Sequence, residues 1–168
     1  MTTDPLYPRA TFIRRVAAMI YDALVAIAIG MCAAMVAIVV LILLMENGVV
    51  SMSGYSHASE AIQHSSLYTT VIQVWVGLWM VGFYVYFWRH GGQTIGMRAW
   101  RLRLFSTSDA PLGYGRVIVR LLSSLGGLGT LLVLFDVKHR QGLQDHIAKT
   151  QMCVLTKDAN HHRAWKDL

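Results

Sequence analysis

Two long apolar runs dominate the pattern of this chain. Ala23–Met45 is 23 residues without a polar side chain, and Leu67–Trp88 is 22 residues interrupted only by Thr69, Thr70 and Gln73. About 20 such residues cross the hydrocarbon core of a bilayer as a helix, so each run predicts a transmembrane helix. The first should begin near Phe12 and stop at Glu46-Asn47-Gly48, and the second should close at Arg89. A third run, Leu121–Phe135, has only 15 residues, lies between Arg120 and Asp136, and is broken by Gly126, Gly127 and Gly129. That length is short for a span, and the glycines suit a tight bend. It predicts a helical segment over about 114–135 that enters the membrane and returns on the same side. Irregular backbone at that depth must be buried in protein or line water.

Elsewhere the period changes. Trp100-Arg101-Leu102-Arg103-Leu104 alternates apolar and basic residues, the mark of a short strand with one apolar face. Gln151–Thr156 is a second strand candidate, and the two should pair as a small hairpin-like sheet at the cytoplasmic surface. Ser106–Pro111 reads as a polar turn. The loop 47–66 is rich in Ser and Gly and is expected to be mobile, with His57 and His64 solvated rather than bound to metal. The fold class is therefore an all-α membrane protein. It has two transmembrane helices (about 12–45 and 67–88), a third bent or re-entrant apolar segment and a small cytoplasmic β element. Residues 1–11 and 157–168 are cytoplasmic tails flanking a membrane domain over 12–156.

Charge sets the orientation. All fifteen Lys and Arg lie outside Tyr21–Trp88, whereas the loop between the two runs carries Glu46 and Glu60 and no basic residue. Basic residues stay on the cytoplasmic side, so the chain is expected to be a multi-pass inner (plasma) membrane protein with both termini cytoplasmic. A full third crossing would put Lys138, Arg140, Lys149, Lys157, Arg163 and Lys166 outside, which is why the third run should return. The formal charge of +6 is this asymmetry and not a nucleic-acid footprint, and only 14% of residues are charged. Cys32 sits inside the first run and Cys153 in the tail, so no disulfide is expected. The apolar run near the N-terminus is too long for a signal-peptide core and reads as an anchor.

Few residues carry candidate chemistry. Arg15 and Asp22, seven apart, share one helical face about 10 Å apart along the axis. Asp22 is the only carboxylate inside a predicted span, where such groups are paired or functional. Its candidate partners are Arg15 and Arg120. Withdrawn from water, it would hold a proton more tightly and could carry one against a cation. Asp145 in the tail is positioned to pair with Arg15 at the inner surface, which would dock the tail on the helices. Gln73, Gly77, Met80 and Tyr84 fall on one face of the second helix, either as a packing seam or as a lining. Gly92-Gln93-Thr94-Ile95-Gly96 is a turn motif in which Thr94 suits capping. No phosphate loop, zinc spacing or nucleophile–base set is present, so neither an enzyme nor a cofactor is expected.

These segments together resemble the RDD membrane-protein family, named for one arginine and two aspartates. Arg15 to Asp22 is similar to its opening helix, and Gly92–Gly96 to its G-x-T-x-G turn. Arg120 resembles the arginine that opens its last apolar segment. Arg140–Thr150 resembles a closing L-H-D followed by A-x-T. The resemblance runs from about Phe12 to Val154. Met97 stands where a Lys is usual and Gln144 where a His is usual, so no role of that Lys or His is carried over. The resemblance implies a small multi-helix membrane domain for which transport is often proposed. Two readings stay open. One is an ion or small-solute transporter, with Asp22 as its candidate proton-coupling group and Arg15, Asp22, Arg120 and Asp145 as its polar centre. The other is an accessory or scaffold protein in which the same residues are clasps. Two spans and a bent segment cannot enclose a path alone, so the lipid bilayer apart, a homo-oligomer or a membrane-protein partner is expected.

Overall fold

In the computed structural model, residues 7–108, 112–136 and 138–161 are described. The ends of the two tails and the close of the Ser106–Pro111 turn lie outside them. Helix α1 runs unbroken over Phe12–Glu46 and α3 over Ser66–His90, both long and apolar enough to cross a membrane. Neither contains proline, and both end within a turn of the predicted limits. The chain divides into two compact units, Ala26–Phe83 and the remainder.

The unit Ala26–Phe83 is a helical hairpin with a lid. Trp75 Nε1 donates to the Ala33 carbonyl at 3.1 Å and ties α3 to α1. The connection contains a short helix, α2 (Ala58–His64), where a mobile loop was expected. Ala58, Ala61 and Ile62 are apolar at helical spacing and pack with Met45 and Tyr68, and Tyr68 Oη donates to the Ser51 carbonyl at 2.6 Å. This local apolar cluster, diluted in the sequence by Ser and Gly, is what orders the loop. Met31, Met35, Val71, Val74 and Leu78 face outward, as helices bathed in lipid require.

The other unit joins the start of α1 and the end of α3 to everything that follows. Helix α4 (Ile95–Ala99) comes first, then strand β1 (Leu102–Ser106). Next come α5 (Tyr114–Ser123), a 3-10 segment (Leu125–Leu131) and α6 (Leu132–Phe135). Helix α7 (Leu143–Ile147) and strand β2 (Thr150–Val154) close the unit. The strands pair antiparallel, Leu102 opposite Val154 and Ser106 opposite Thr150. Pro8–Ala10 extends the sheet through Ala10 N to Met152 O and Val154 N to Pro8 O, both 2.8 Å. β1 begins two residues later than the alternation indicated, because Trp100 caps α4 and Arg101 turns at φ 56°. Gly92, at φ 62°, lets its carbonyl accept from Leu104 N at 2.8 Å, so the free edge of β1 is covered. The core beneath contains Ala18, Trp88, Met97, Leu102, Leu104 and Val117. Burial pushes the Cys153 thiol up to about 11, so it is chemically quiet at neutral pH.

The third apolar run is bent, as its length and glycines predicted: the α5 part and the Leu125–Phe135 part meet at 78°. The turn is made by three successive left-handed residues, Leu125 (φ 49°), Gly126 (φ 66°) and Gly127 (φ 105°). A Cβ on Gly127 would strike Met19 Cε, whereas one on Gly126 would meet nothing within 4 Å. Gly126→Ala therefore carries only the left-handed backbone penalty, about 1 kcal/mol. Gly127→Ala adds overpacking at the low end, about 1 kcal/mol, because the atom it meets is the end of the flexible Met19 side chain. Thermal unfolding in detergent should rank Gly127→Ala clearly below Gly126→Ala, and adding Met19→Ala should recover part of the Gly127 loss. Equal melting points for the two glycine variants would refute the close approach of the bend to α1.

Candidate functional site

Three of the charged residues picked out in the sequence meet in one buried cluster. Asp145 is the third residue of α7, and its Oδ2 accepts from Gly142 N at 3.0 Å, which caps that short helix. The same oxygen accepts from Arg15 Nη1 at 2.5 Å, and Oδ1 accepts from Arg120 Nη1 at 2.5 Å. Arg15 comes from the first turn of α1 and Arg120 from α5; their exposures are 2% each, and that of Asp145 is 0%. Arg15 Nη2 donates to the Arg140 carbonyl at 2.7 Å and Nε to the Ala10 carbonyl at 3.4 Å. Arg120 Nη1 also donates to Thr150 Oγ1 at 2.6 Å, and its guanidinium lies 5.4 Å from the centre of the Trp88 ring. The pairing of Arg15 with Asp145 expected from the sequence is present, and Arg120 joins it.

Two guanidinium groups share one carboxylate, so the surplus positive charge must be met by carbonyl oxygens and the indole face. Burial alone would raise the Asp145 carboxyl, but Arg120, Arg15 and the Gly142 amide outweigh it and hold it below its ordinary 3.8. Arg120 Nε and Trp88 Nε1 are buried without a hydrogen-bond partner, so stacking carries that side of the contact.

Asp22 is elsewhere. It is 4% exposed. The prediction that it pairs with Arg15 or Arg120 is corrected: among the described residues no basic side chain lies within ion-pair distance of it. Its Oδ2 accepts from Thr94 Oγ1 at 2.5 Å and its Oδ1 from Gly96 N at 2.8 Å. Thr94 is the N-cap of α4 and accepts from Met97 N at 3.3 Å, the capping role expected of it. The reason is geometric. Two turns of helix separate Asp22 from Arg15, whose nitrogens are all engaged elsewhere, while the G-x-T-x-G segment folds directly onto Asp22. A Cβ on Gly96 would overlap the Ala18 carbonyl and lie 2.9 Å from Asp22 Cγ, so only glycine fits there. Tyr84 packs on Trp88 with ring centres 5.4 Å apart. Gln73 belongs to the other unit and faces outward.

Sequence reasoning missed three contributors. Thr150 is the T of the closing motif, and its hydroxyl takes up an Arg120 donor. Trp88, the last residue of the second apolar run, is the floor under Arg120. Gln144, at the position where the resemblance has His, is 5% exposed and donates from Nε2 to Thr130 Oγ1 at 2.8 Å, fastening α7 to the bent segment. Its neighbours in sequence, Leu143 and Asp145, gave no hint of that contact.

Membrane-length apolar helices joined at one end by a buried arginine–aspartate hub define an integral membrane protein. The sequence profile of the RDD family matches residues 9–149, and the chain belongs to that family. No curated protein and no solved structure matches it.

Removing Asp145 leaves two buried cations, whereas removing Arg15 leaves a balanced pair. Breaking a buried ion pair costs about 3–5 kcal/mol. Asp145→Asn should therefore lower folded yield and melting temperature more than Arg15→Ala, and the double variant should fall short of the summed losses. Because the folded Asp145 carboxyl is depressed, the ion pairs persist from neutral pH down to about 3.8 and are lost below it. The gap between wild type and Asp145→Asn should stay level to that pH and close under it. A gap already closing at pH 6 would mean Asp145 is not held by these arginines.

Proposed function

We propose that this chain is an accessory or scaffold protein of the inner membrane, with both ends cytoplasmic, in which the arginines and aspartates are structural clasps. One observation carries the reading. Both carboxylates, Asp22 and Asp145, are buried with every oxygen hydrogen-bonded inside the chain, so neither is presented to a solute. The outward apolar faces of α1 and α3 offer docking surface to partner helices or to a second copy.

The orientation has support of two kinds. Basic residues are confined to the ends and to the segment after Trp88. In addition, both ends of the bent segment are tied to one side. Its first residue, Tyr114, stacks under Arg89 at the end of α3, and the loop after it is held by Arg15 at the start of α1 through the Arg140 carbonyl. A hairpin begins and ends on one face, so a segment anchored to both its feet re-enters instead of crossing.

A second reading, transport of a cation or small solute, is favoured by one feature. Among the described residues, Asp22 has a hydroxyl and an amide as partners and no basic side chain within ion-pair distance, so its charge is not tied up in an ion pair.

Asp22→Asn keeps the Gly96 hydrogen bond on its amide oxygen, turns the Thr94 one round so that its NH2 donates to the hydroxyl, and removes the titratable proton. Under the scaffold reading, wild type and variant show the same background leak in proteoliposomes across a panel of monovalent cations. A wild-type flux that vanishes in a folded Asp22→Asn protein would replace this reading with the transport one. A reporter fused after Leu168 should read cytoplasmic, and a periplasmic signal would mean that the third run crosses.

A further inference from the structure

The hub absorbs Arg15 and Arg120 but leaves a different arginine unexplained. Arg89 closes α3, is exposed, and has no carboxylate within ion-pair distance among the described residues. It is nevertheless held in place. Its guanidinium lies 5.4 Å from the centre of the Tyr114 ring, which opens α5. Around it Tyr86 and His90 stack with ring centres 4.6 Å apart, and His90 Nδ1 sits 3.0 Å from the Tyr86 carbonyl. An aromatic pair, a stacked guanidinium and a second tyrosine at the end of an apolar helix are the composition of the headgroup layer. Next to this rim, Ile118, Leu122, Leu125 and Leu128 point outward from the bent segment.

The charge of the surroundings says what fits. All fifteen basic residues fall in the unit containing Arg89, against seven of the nine acidic ones. A planar guanidinium with free donors, fixed by an aromatic ring, recognises phosphate by a fork of two hydrogen bonds. We propose that Arg89 and Tyr114 form a binding site for the phosphate of an anionic phospholipid, whose acyl chains lie along the outward face of the bent segment. The lipid then wedges between the end of α3 and the start of α5. The site rests on the membrane reading but not on the choice between scaffold and transport, nor on whether the third run crosses.

The test uses the full chain purified in a neutral detergent, stripped of lipid and offered phosphatidylglycerol and phosphatidylcholine in equal amounts. Lipid carried through native mass spectrometry is the readout. Wild type should retain phosphatidylglycerol in preference, and the preference should fall with added salt. Arg89→Gln should reduce it by about fivefold, the share of one cation at an anionic leaflet. Arg89→Lys should keep the charge but lose the stacking and fork, giving an intermediate value. Lys157→Gln, which removes an exposed charge beyond β2, should change nothing. A preference equally reduced by Lys157→Gln, or untouched by Arg89→Gln, would overturn the site and leave only diffuse attraction. Should Arg89→Gln fail to fold, Arg89→Lys and Tyr114→Leu decide, since both retain bulk: full preference in both overturns the proposal. A periplasmic reporter signal with an intact Arg89-dependent preference would refute the topology alone.

Discussion

Asp145 is the residue on which the rest of this unit depends. A single buried carboxylate accepts from a guanidinium on α1, a guanidinium on α5 and the amide that opens its own helix. These donors are 130, 25 and 3 residues away in the chain. Local helix propensity cannot specify such an arrangement. It is reached only when the first helix, the bent segment and the tail have all formed, so the contact works as a check on assembly. A buried ionic cluster of this kind is weak evidence for net stability, because desolvating three charges costs about what their attraction returns. Its effect is better described as selection among arrangements. Any packing that separates the three strands a bare charge.

The glycines have a matching role. Gly96 lets a backbone turn touch α1 at Ala18 and Asp22, Gly127 lets the bend touch Met19, and Gly129 sits 2.5 Å, measured from a would-be Cβ, from Gln144 Oε1. At Gly96 two backbones, at Gly127 a backbone and a methionine methyl, and at Gly129 a backbone and a buried amide approach more closely than a Cβ would permit. Polar clasp and glycine contact alternate along the first two turns and more of α1: Arg15, Ala18, Met19, Asp22. One face of one helix thus receives the turn, the bend and, through Asp145, the tail.

Much of this was legible in the sequence. Apolar run length fixes α1 and α3, because nothing else tolerates over twenty residues without a charge. The bend follows from Gly126 and Gly127, and the first strand from alternation around Leu102. The Arg15–Asp145 contact follows from placing both near the same surface. What was not legible depends on partners distant in sequence. Helices α4 and α7 have five residues each, and α2 has seven, too short to show a period. They exist because tertiary contacts satisfy their ends: Asp22 and Thr94 for α4, Asp145 for α7. The choice of Thr94 and Gly96 over an arginine as the partner of Asp22 was equally hidden. Charge complementarity argued for the arginine, and only the fold reveals that Arg15 is already saturated.

That choice has a mechanical consequence. An aspartate paired with arginine is fixed by charge and by a long flexible side chain, which tolerates small shifts. An aspartate held by a threonine hydroxyl and a glycine amide is fixed by backbone. Asp22 therefore reports directly on the position of the Gly92–Gly96 turn, which in turn carries Gly92 against β1 through Leu104. The α1 helix, the turn after α3 and the sheet form one hydrogen-bonded line: Asp22 to Gly96, Gly92 to Leu104, and Leu104 opposite Met152. Met152 in turn receives Ala10, just ahead of α1. The line closes on the helix where it began. The start of the first helix is thus tied to the sheet by two hydrogen-bonded routes, through Asp22 and through Ala10. The same circuit serves a scaffold, whose surface must hold its shape, and a transporter, whose surface must change it. What separates the two is whether the Asp22 link, the one link in the circuit made by a side chain, breaks during function.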